Sequence, residues 1–126
     1  MANTTENEDV NKMSKILSKA KEHFKEVANQ GQSSIEVPEW GETIYWQIGG
    51  LNFAQQSKVI ELQNSGKTAE ALVEMLIMRA IDGEGKKMFK MVEKTEIMRE
   101  VDPNVILKVV SAMGESDQDL DDPVKN

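Results

Sequence analysis

Few residues of this sequence have the types and spacing that catalysis requires. His23 is the only histidine, so neither a pair of imidazoles nor a histidine-based metal triad can form within one chain. It stands among lysines on an amphipathic segment, which favours a surface residue over a general base. The absence of cysteine excludes disulfides and thiolate metal sites. Acidic residues are common, but no pair of them has a setting typical of acid–base catalysis.

Two short motifs resemble ligand-binding loops, and both lack essential residues. Gly66-Lys67-Thr68 matches the end of a phosphate-binding loop, but Glu61 occupies the position of the required first glycine. A calcium loop beginning at Asp82 would place Lys86 at an oxygen-ligand position and Lys87 at the position of the turn glycine. Two cations at those positions would repel a metal ion. The sequence therefore predicts no enzyme, no cofactor and no metal site.

Methionine is the residue type whose distribution suggests a function. Six of the eight methionines lie between Met75 and Met113. Flexible apolar side chains can fill a small core, and they can also line a groove that adapts to the helices of a partner. Both interpretations are open from the sequence. The second predicts a partner-binding set: Met75, Met78, Met88, Met91 and Met98.

The element that must position these methionines is an apolar stretch from Thr68 to Gly85. Between Ala69 and Ile81 the only charged residues are Glu70, Glu74 and Arg79. Their spacing of four and five residues places them on one narrow stripe of a helix whose other faces are apolar. Thirteen residues are too few to cross a bilayer. The stretch therefore predicts a core helix that the other elements cover.

The rest of the chain predicts a mainly α (α+β) fold, a small helical domain with one short antiparallel β-hairpin. Thr68 is expected to cap the core helix and Asp82-Gly83 to end it. Asp102-Pro103 signals the start of the last helix and Gly114 its end. Helical periodicity covers four further segments: residues 10–28, 51–64, 95–101 and 103–113. In segment 51–64 the predicted buried positions are Leu51, Ala54, Val59, Ile60 and Leu62. In segment 103–113 they are Val105, Ile106, Val109, Val110 and Met113.

The hairpin is predicted between the first two helices. Ile35–Val37 and Thr43–Ile48 carry alternating β-branched and aromatic residues, and Pro38–Glu42 separates them as a turn. A lone hairpin is only marginally stable, so its apolar face must pack on the helices. The residues that share this face are Ile44, Trp46 and Ile48.

The chain thus divides into three segments. Residues 1–33 form a polar N-terminus, with 1–9 as a loose end, and an amphipathic helix. Residues 34–114 form the hairpin and the helical core. Residues 115–126 form an acidic tail that we expect to be disordered.

The charge of the chain limits its partners. A net charge of −7 and a pI near 4.8 argue against nonspecific binding to nucleic acid or to anionic membranes. The N-terminus has no apolar leader, so we expect an intracellular location. Five lysines between Lys12 and Lys25 oppose this acidity. They are typical of a solvated face, or of an arm that docks on an acidic partner, including the Glu115–Asp122 tail of another copy.

The order of these segments resembles that of the tail assembly chaperones of long-tailed bacteriophages. A strand and turn similar to the family's V-P-E-W-G pattern spans Val37–Gly41. An apolar helix then ends in a D-x-x-G…F signature at Asp82, Gly85 and Phe89. The resemblance covers about residues 35–116, and Gln47 stands where family members often have an arginine.

The resemblance implies a function in the host cytoplasm. Such chaperones coat the tape measure protein, keep it soluble, recruit major tail protein subunits and are absent from the finished virion. The resemblance also implies a longer form made by ribosomal frameshifting, and we expect the two forms to diverge in the acidic tail after Gly114. From its charges and apolar groups we also expect the chain to form a homo-oligomer or to associate with that longer form. A small acidic adaptor or regulatory domain that binds one defined peptide is the alternative.

Overall fold

The computed structural model describes the backbone of residues 4–28 and 30–120 and the side chains within 14–28 and 30–117. These residues form helices around one two-stranded antiparallel sheet, which confirms the predicted α+β fold. In chain order the elements are α1 (Thr4–Ala28), β1 (Gln32–Val37), β2 (Glu42–Gln47), α2 (Phe53–Asn64), α3 (Thr68–Arg79), a 3₁₀ turn (Met91–Glu93), α4 (Lys94–Glu100) and α5 (Pro103–Leu120).

The hairpin forms where the alternating residues predict it. Ile35 lies opposite Ile44 across the two strands, and the Trp40 amide donates to the Val37 carbonyl at 3.0 Å to close the turn. Gly41 ends this turn with a φ of +66°, a conformation that residues with a Cβ rarely adopt. Ile44 and Trp46 are fully buried, as expected for the face that packs on the helices, and Ile48 is half-buried.

The core lies between the hairpin, α3 and α5. Every residue predicted for the buried face of α5 is buried. On α3, Val73, Leu76 and Ile77 are buried and Leu72 is partly buried. Asp102 starts α5 as predicted, because its carboxylate accepts a hydrogen bond from the Asn104 amide at 2.9 Å. The main core residues are Val37, Ile44, Trp46, Val73, Leu76, Ile77, Ala80, Ile97, Val105, Val109, Val110 and Met113.

The ends of α3 differ from the prediction. Thr68 is the first helical residue and not the cap, and Lys67 at the cap position makes no side-chain hydrogen bond. The helix ends at Arg79 and not at Asp82, since Ile81 exchanges two backbone hydrogen bonds of 2.9 Å with Tyr45 of β2. The backbone must leave the helix at Ala80 to place Ile81 beside the strand. Ile81 thus extends the sheet by one residue pair.

The expected end of α5 at Gly114 is wrong. The helix continues to Leu120, so the part of the predicted disordered tail from Glu115 to Leu120 is helical, whereas 121–126 lie outside the described residues. A glycine inside a helix costs about 1 kcal/mol relative to alanine. This cost is offset because the extension brings Asp117 to a buried arginine.

The first two helices also depart from the prediction. α1 begins at Thr4 and not near residue 10. α2 begins at Phe53, where the Asn52 side chain accepts from the Gln55 amide and the Gln55 side chain accepts from the Asn52 amide. Of the five positions predicted to be buried on α2, only Val59 is buried, whereas Ala54 and Ile60 are exposed and Leu51 and Leu62 half-buried.

Candidate partner-binding surface

The last turn of α3 carries a buried arginine that links three elements. Arg79 is 5% exposed, and its guanidinium donates to both carboxylate oxygens of Asp117 on α5, at 2.7 and 3.0 Å. It also donates to the Gln47 carbonyl at the end of β2, at 2.7 Å. The Gly49 amide donates to Asp117 at 2.9 Å. The Asp117 carboxylate therefore holds the end of α5 against α3 and the β2–α2 loop.

A second buried charge lies one turn earlier on α3. Glu74 is 1% exposed, and its carboxylate contacts Lys94 of α4 at 2.5 Å and Lys58 of α2 at 3.5 Å. The prediction of one charged stripe is correct for the helix, but all three charges contact neighbouring elements, since Glu70 also lies 3.9 Å from Lys94. Glu74 and Arg79 were therefore missed as packing residues. Their partners lie 20 and 38 residues away, and no local pattern in the sequence indicates them.

The environment of Glu74 makes folding sensitive to acid. Burial alone would raise the pKa of Glu74, but the hydrogen bond and charge of Lys94, together with Lys58, hold that pKa below its ordinary value of 4.5. A carboxyl group whose pKa is lower in the folded state stabilises the fold above the unfolded pKa. This contribution is lost as the pH falls through the folded value.

The free energy of unfolding, measured in urea at a series of pH values from neutral to acid, is therefore expected to fall as Glu74 is protonated. A Glu74→Gln variant should be less stable than the wild type above pH 4.5, and the difference should shrink below it. A difference that stays constant down to the acid limit would contradict this assignment of the pKa.

The loop after α3 uses its acidic residue to close a turn. The Asp82 carboxylate accepts from the backbone amides of Glu84 and Lys86 at 2.8 and 2.9 Å. The Lys86 amide is the main cause of the lowered pKa of Asp82. A cleft of about 490 Å³ beside this turn is lined by Glu36, Glu42 and Asp82 among other residues. Within the described part of the chain, no three acidic or histidine side chains are placed to hold a metal ion.

The five methionines of the predicted partner-binding set lie in different environments. Met75 and Met88 are partly buried against the core, and Met78 is half-buried in a groove beside α2. Met91 and Met98 are 45% and 39% exposed. Three of the five are thus at least partly buried, as core-filling residues are, and partner binding by the set remains a prediction.

Met98 lies in an apolar groove between α3, α4 and α5. The groove has a volume of about 300 Å³ and exposes more apolar than polar surface. Leu107 of α5, which is 46% exposed, lies on the same groove. Its lining residues are Ala69, Leu72, Val73, Met98, Arg99, Val101, Pro103, Ile106 and Leu107.

The N-terminal helix contributes a second exposed apolar surface. Side chains from Ser14 to Glu26 are exposed, including Ile16 at 71% and Leu17 at 55%. Near its end, His23 and Phe24 line a cavity of about 320 Å³ with Asp117 and the start of α2. His23 is a surface residue, as predicted. Across residues 4–28 and 30–120, no helix has both the length and the apolar character of a membrane span.

The fold is that of a small α+β domain seen in a phage assembly protein. No family model and no curated protein matches this sequence. The structure is similar to that of the bacteriophage HK97 tail assembly chaperone, with a TM-score of 0.52 and 18% sequence identity. The similarity covers 71% of this chain and 80% of the HK97 chain. It confirms the fold that the sequence resemblance implied.

Proposed function

We propose that this chain is a tail assembly chaperone of a long-tailed bacteriophage. In this role it binds and solubilises the tape measure protein in the host cytoplasm, recruits tail tube subunits and is absent from the mature virion. The observation that carries the proposal is the fold shared with the HK97 tail assembly chaperone over 71% of this chain. The role requires no catalysis.

The charges and exposed side chains of the domain are compatible with this role. A protein that holds an apolar helical client needs accessible apolar groups and a net charge that keeps the complex dissolved. The net charge of −7 supplies the second requirement. Met91 and Met98 are the most exposed of the five proposed methionines, and Val92 beside Met91 is 84% exposed.

We therefore place the centre of the client-binding surface on the 3₁₀ turn at Met91 and Val92. Both side chains lie on a short connection before α4, outside the core cluster. An unbranched methionine can adapt to clients of varied shape. The other four methionines of the proposed set lie elsewhere: Met75, Met78 and Met88 are less exposed, and Met98 lies in the groove between α3, α4 and α5.

Copurification tests the proposal. A tagged chain, produced together with the tape measure protein encoded among the tail genes of the same phage, should retain that protein on an affinity column. Changing both Met91 and Val92 to glutamate should reduce the retained amount about tenfold or more, because two apolar contacts are replaced by charge.

The matched control is Phe53→Glu, which removes an 82% exposed apolar side chain from α2. Its retention of the client should equal that of the wild type. Equal losses in the two variants would contradict the placement of the surface, and no retention by the wild type would contradict the chaperone proposal. Capture of one short defined peptide would favour the adaptor function instead.

We also propose that the chain acts as a homo-oligomer or together with a longer frameshifted form. A change of reading frame after Gly114 would replace Asp117 and so remove the partner of Arg79. Mass spectrometry of the protein made from its native gene should detect the second form. A single product, with no open extension downstream in either shifted frame, would remove the frameshifting part of the proposal.

A further inference from the structure

We infer that the outer edge of β1 is a docking site for an extended segment of another protein, in which basic residues alternate with apolar ones. The segment adds to the hairpin as a third, antiparallel strand and forms backbone hydrogen bonds with β1. The site uses residues other than Met91 and Val92, and it does not depend on the proposed chaperone function.

The backbone of β1 has one unpaired edge. Tyr45 of β2 exchanges its amide and carbonyl hydrogen bonds with Ile81, so the other edge of the hairpin is occupied. Tyr45 lies opposite Ser34, and residues that face each other in an antiparallel pair both direct these groups either inward or outward. Ser34 therefore directs its groups away from β2, and so do Gln32 and Glu36, two residues to either side. Among the described residues, no backbone partner bonds to these outward groups.

This edge is also open to a partner. The side chains of Gln32, Ser34 and Glu36 are exposed. Proteins commonly protect an edge strand with lysine, proline or a bulge, because unpaired backbone groups are a template for another strand. The six residues of β1 include no lysine or proline, and they pair with β2 one to one without a bulge. The edge can therefore accept an extended segment.

The surface beside this edge selects a basic segment. Glu36, Glu42 and Asp82 line the cleft of about 490 Å³, and none of its lining residues is basic. Within the described part of the chain, no lysine or arginine forms an ion pair with Glu36 or Glu42. Tyr45 lines the same cleft, and the face of an aromatic ring attracts a cation. The unpaired edge requires an extended partner, and these carboxylates determine its charge.

Strand pairing fixes the pattern of the partner. A partner residue opposite Glu36 lies on the same face of the sheet as Glu36, within reach of its carboxylate. That face also carries Thr43 and Tyr45 of the cleft, so a lysine or arginine there extends over the cleft. The next partner residue lies on the other face, beside Ile35, which is partly buried against the core. An apolar residue suits that position, and the partner therefore alternates basic and apolar residues.

A second copy of this chain does not fit the edge. Two chains that each carry a net charge of −7 repel each other. The lysine-rich segment of the chain, Lys12–Lys25, lies within helix α1 and so presents no extended strand.

The test titrates the isotope-labelled full chain with an octapeptide of alternating lysine and valine, blocked at both ends. Binding should shift the backbone amide NMR signals of Gln32, Ser34 and Glu36 and slow their hydrogen exchange, because these amides gain partners. An octapeptide of alternating glutamate and valine should not bind.

Methylated peptides separate strand addition from charge attraction. In the antiparallel arrangement the lysine amides face β1 and the valine amides face away. N-methyl groups on the lysine amides should weaken binding about tenfold or more, because they remove donors from the contact. The same groups on the valine amides should leave binding unchanged. In the protein, Ser34→Pro removes one outward amide and should weaken binding, whereas Ser34→Ala keeps that amide and should not. The methylated peptides give the result if Ser34→Pro does not fold.

A charge reversal tests the cleft. Glu36→Lys should weaken binding of the lysine–valine peptide about fivefold or more, because a cross-strand attraction becomes a repulsion. The matched control is Glu61→Lys, which makes the same change at an exposed position of α2 and should bind like the wild type.

Four results would overturn the inference. The peptide could leave the edge amides of β1 unchanged, the peptide with methylated lysine amides could bind as tightly as the unmodified one, or Glu61→Lys could lose as much binding as Glu36→Lys. In the fourth, the edge signals would change with protein concentration in the absence of peptide, which would make a second copy the occupant. No tape measure protein is present, so these outcomes are independent of the chaperone assay.

Discussion

Replacing Asp117 by alanine is expected to destabilise the domain by about 3 kcal/mol, the cost typical of removing one partner of a buried ion pair. The side chain of Arg79 is 3% exposed, and in the variant its charge would remain buried without a carboxylate. The Gly49 amide would also lose its acceptor. This value is the lower end of the usual range of about 3–5 kcal/mol. The lower end applies because the Asp117 side chain is 32% exposed, so water can reach the site. Urea unfolding at neutral pH measures the loss.

The matched control for Asp117 is an exposed ion pair. Glu84 lies 3.6 Å from Lys86, and both side chains are more than three-quarters exposed. Glu84→Ala should therefore change stability by less than about 1 kcal/mol. In the Asp117→Ala variant, amide hydrogen exchange should also increase after Gly114, where the contact with Arg79 offsets a helix-weakening glycine. Equal effects of the two substitutions would show that the Arg79 contact does not stabilise α5.

Replacing Lys94 by alanine is expected to cost about 3 kcal/mol as well. The variant would leave the Glu74 carboxylate, whose side chain is 2% exposed, without the hydrogen bond of 2.5 Å that compensates its burial. The pKa of Glu74 should rise in this variant because burial would then dominate. As a result, the folded variant would bind the Glu74 proton more readily, so the stability lost at neutral pH should shrink as the pH falls.

Lys58 provides the control for Lys94, since it contacts the same carboxylate. Its ammonium group lies 3.5 Å from Glu74, but the Lys58 side chain is 58% exposed. Solvent screens such a contact, so Lys58→Ala should cost less than about 1 kcal/mol. Thermal and urea unfolding of the two variants measure the difference. A larger effect at Lys58 than at Lys94 would reverse the assignment of the main partner.

The elements with strong local patterns could be predicted from the sequence. Alternation identified the hairpin and its buried Ile44 and Trp46, because strand faces follow a period of two. The 3.6-residue period identified the buried face of α5, and Asp102-Pro103 marked its start. In these segments the local preference and the tertiary structure agree.

Features decided by distant contacts could not be predicted. Gly114 looks like a helix end, but α5 continues past it and carries Asp117 to Arg79, which lies 38 residues away in the sequence. Ile81 fits the apolar period of α3, yet it pairs with Tyr45 because the edge of β2 offers free backbone groups there. Ile60 fits the period of α2, but this helix buries only Val59. Periodicity indicates which residues share a face, and it does not indicate how much of that face is covered.

The candidate binding surface remains a prediction. The sequence singled out methionines, and the structure places two of the five, Met91 and Met98, at substantially exposed positions. It gave no indication of the groove that contains Leu107, since that groove forms where three helices meet. The unusual charge of Lys12–Lys25 was visible in the sequence, whereas the exposure of Ile16 and Leu17 required the structure.

The most direct test of the proposed function is the solubility of the client. Denatured tape measure protein from the same phage is diluted into buffer with increasing amounts of this chain, and the fraction left in the supernatant after sedimentation is measured. The chaperone proposal predicts that this fraction rises with the added chain and reaches a plateau at a fixed ratio of the two proteins. It also predicts a smaller rise for the variant with glutamate at Met91 and Val92. A soluble fraction that does not depend on the chain would contradict the proposed function.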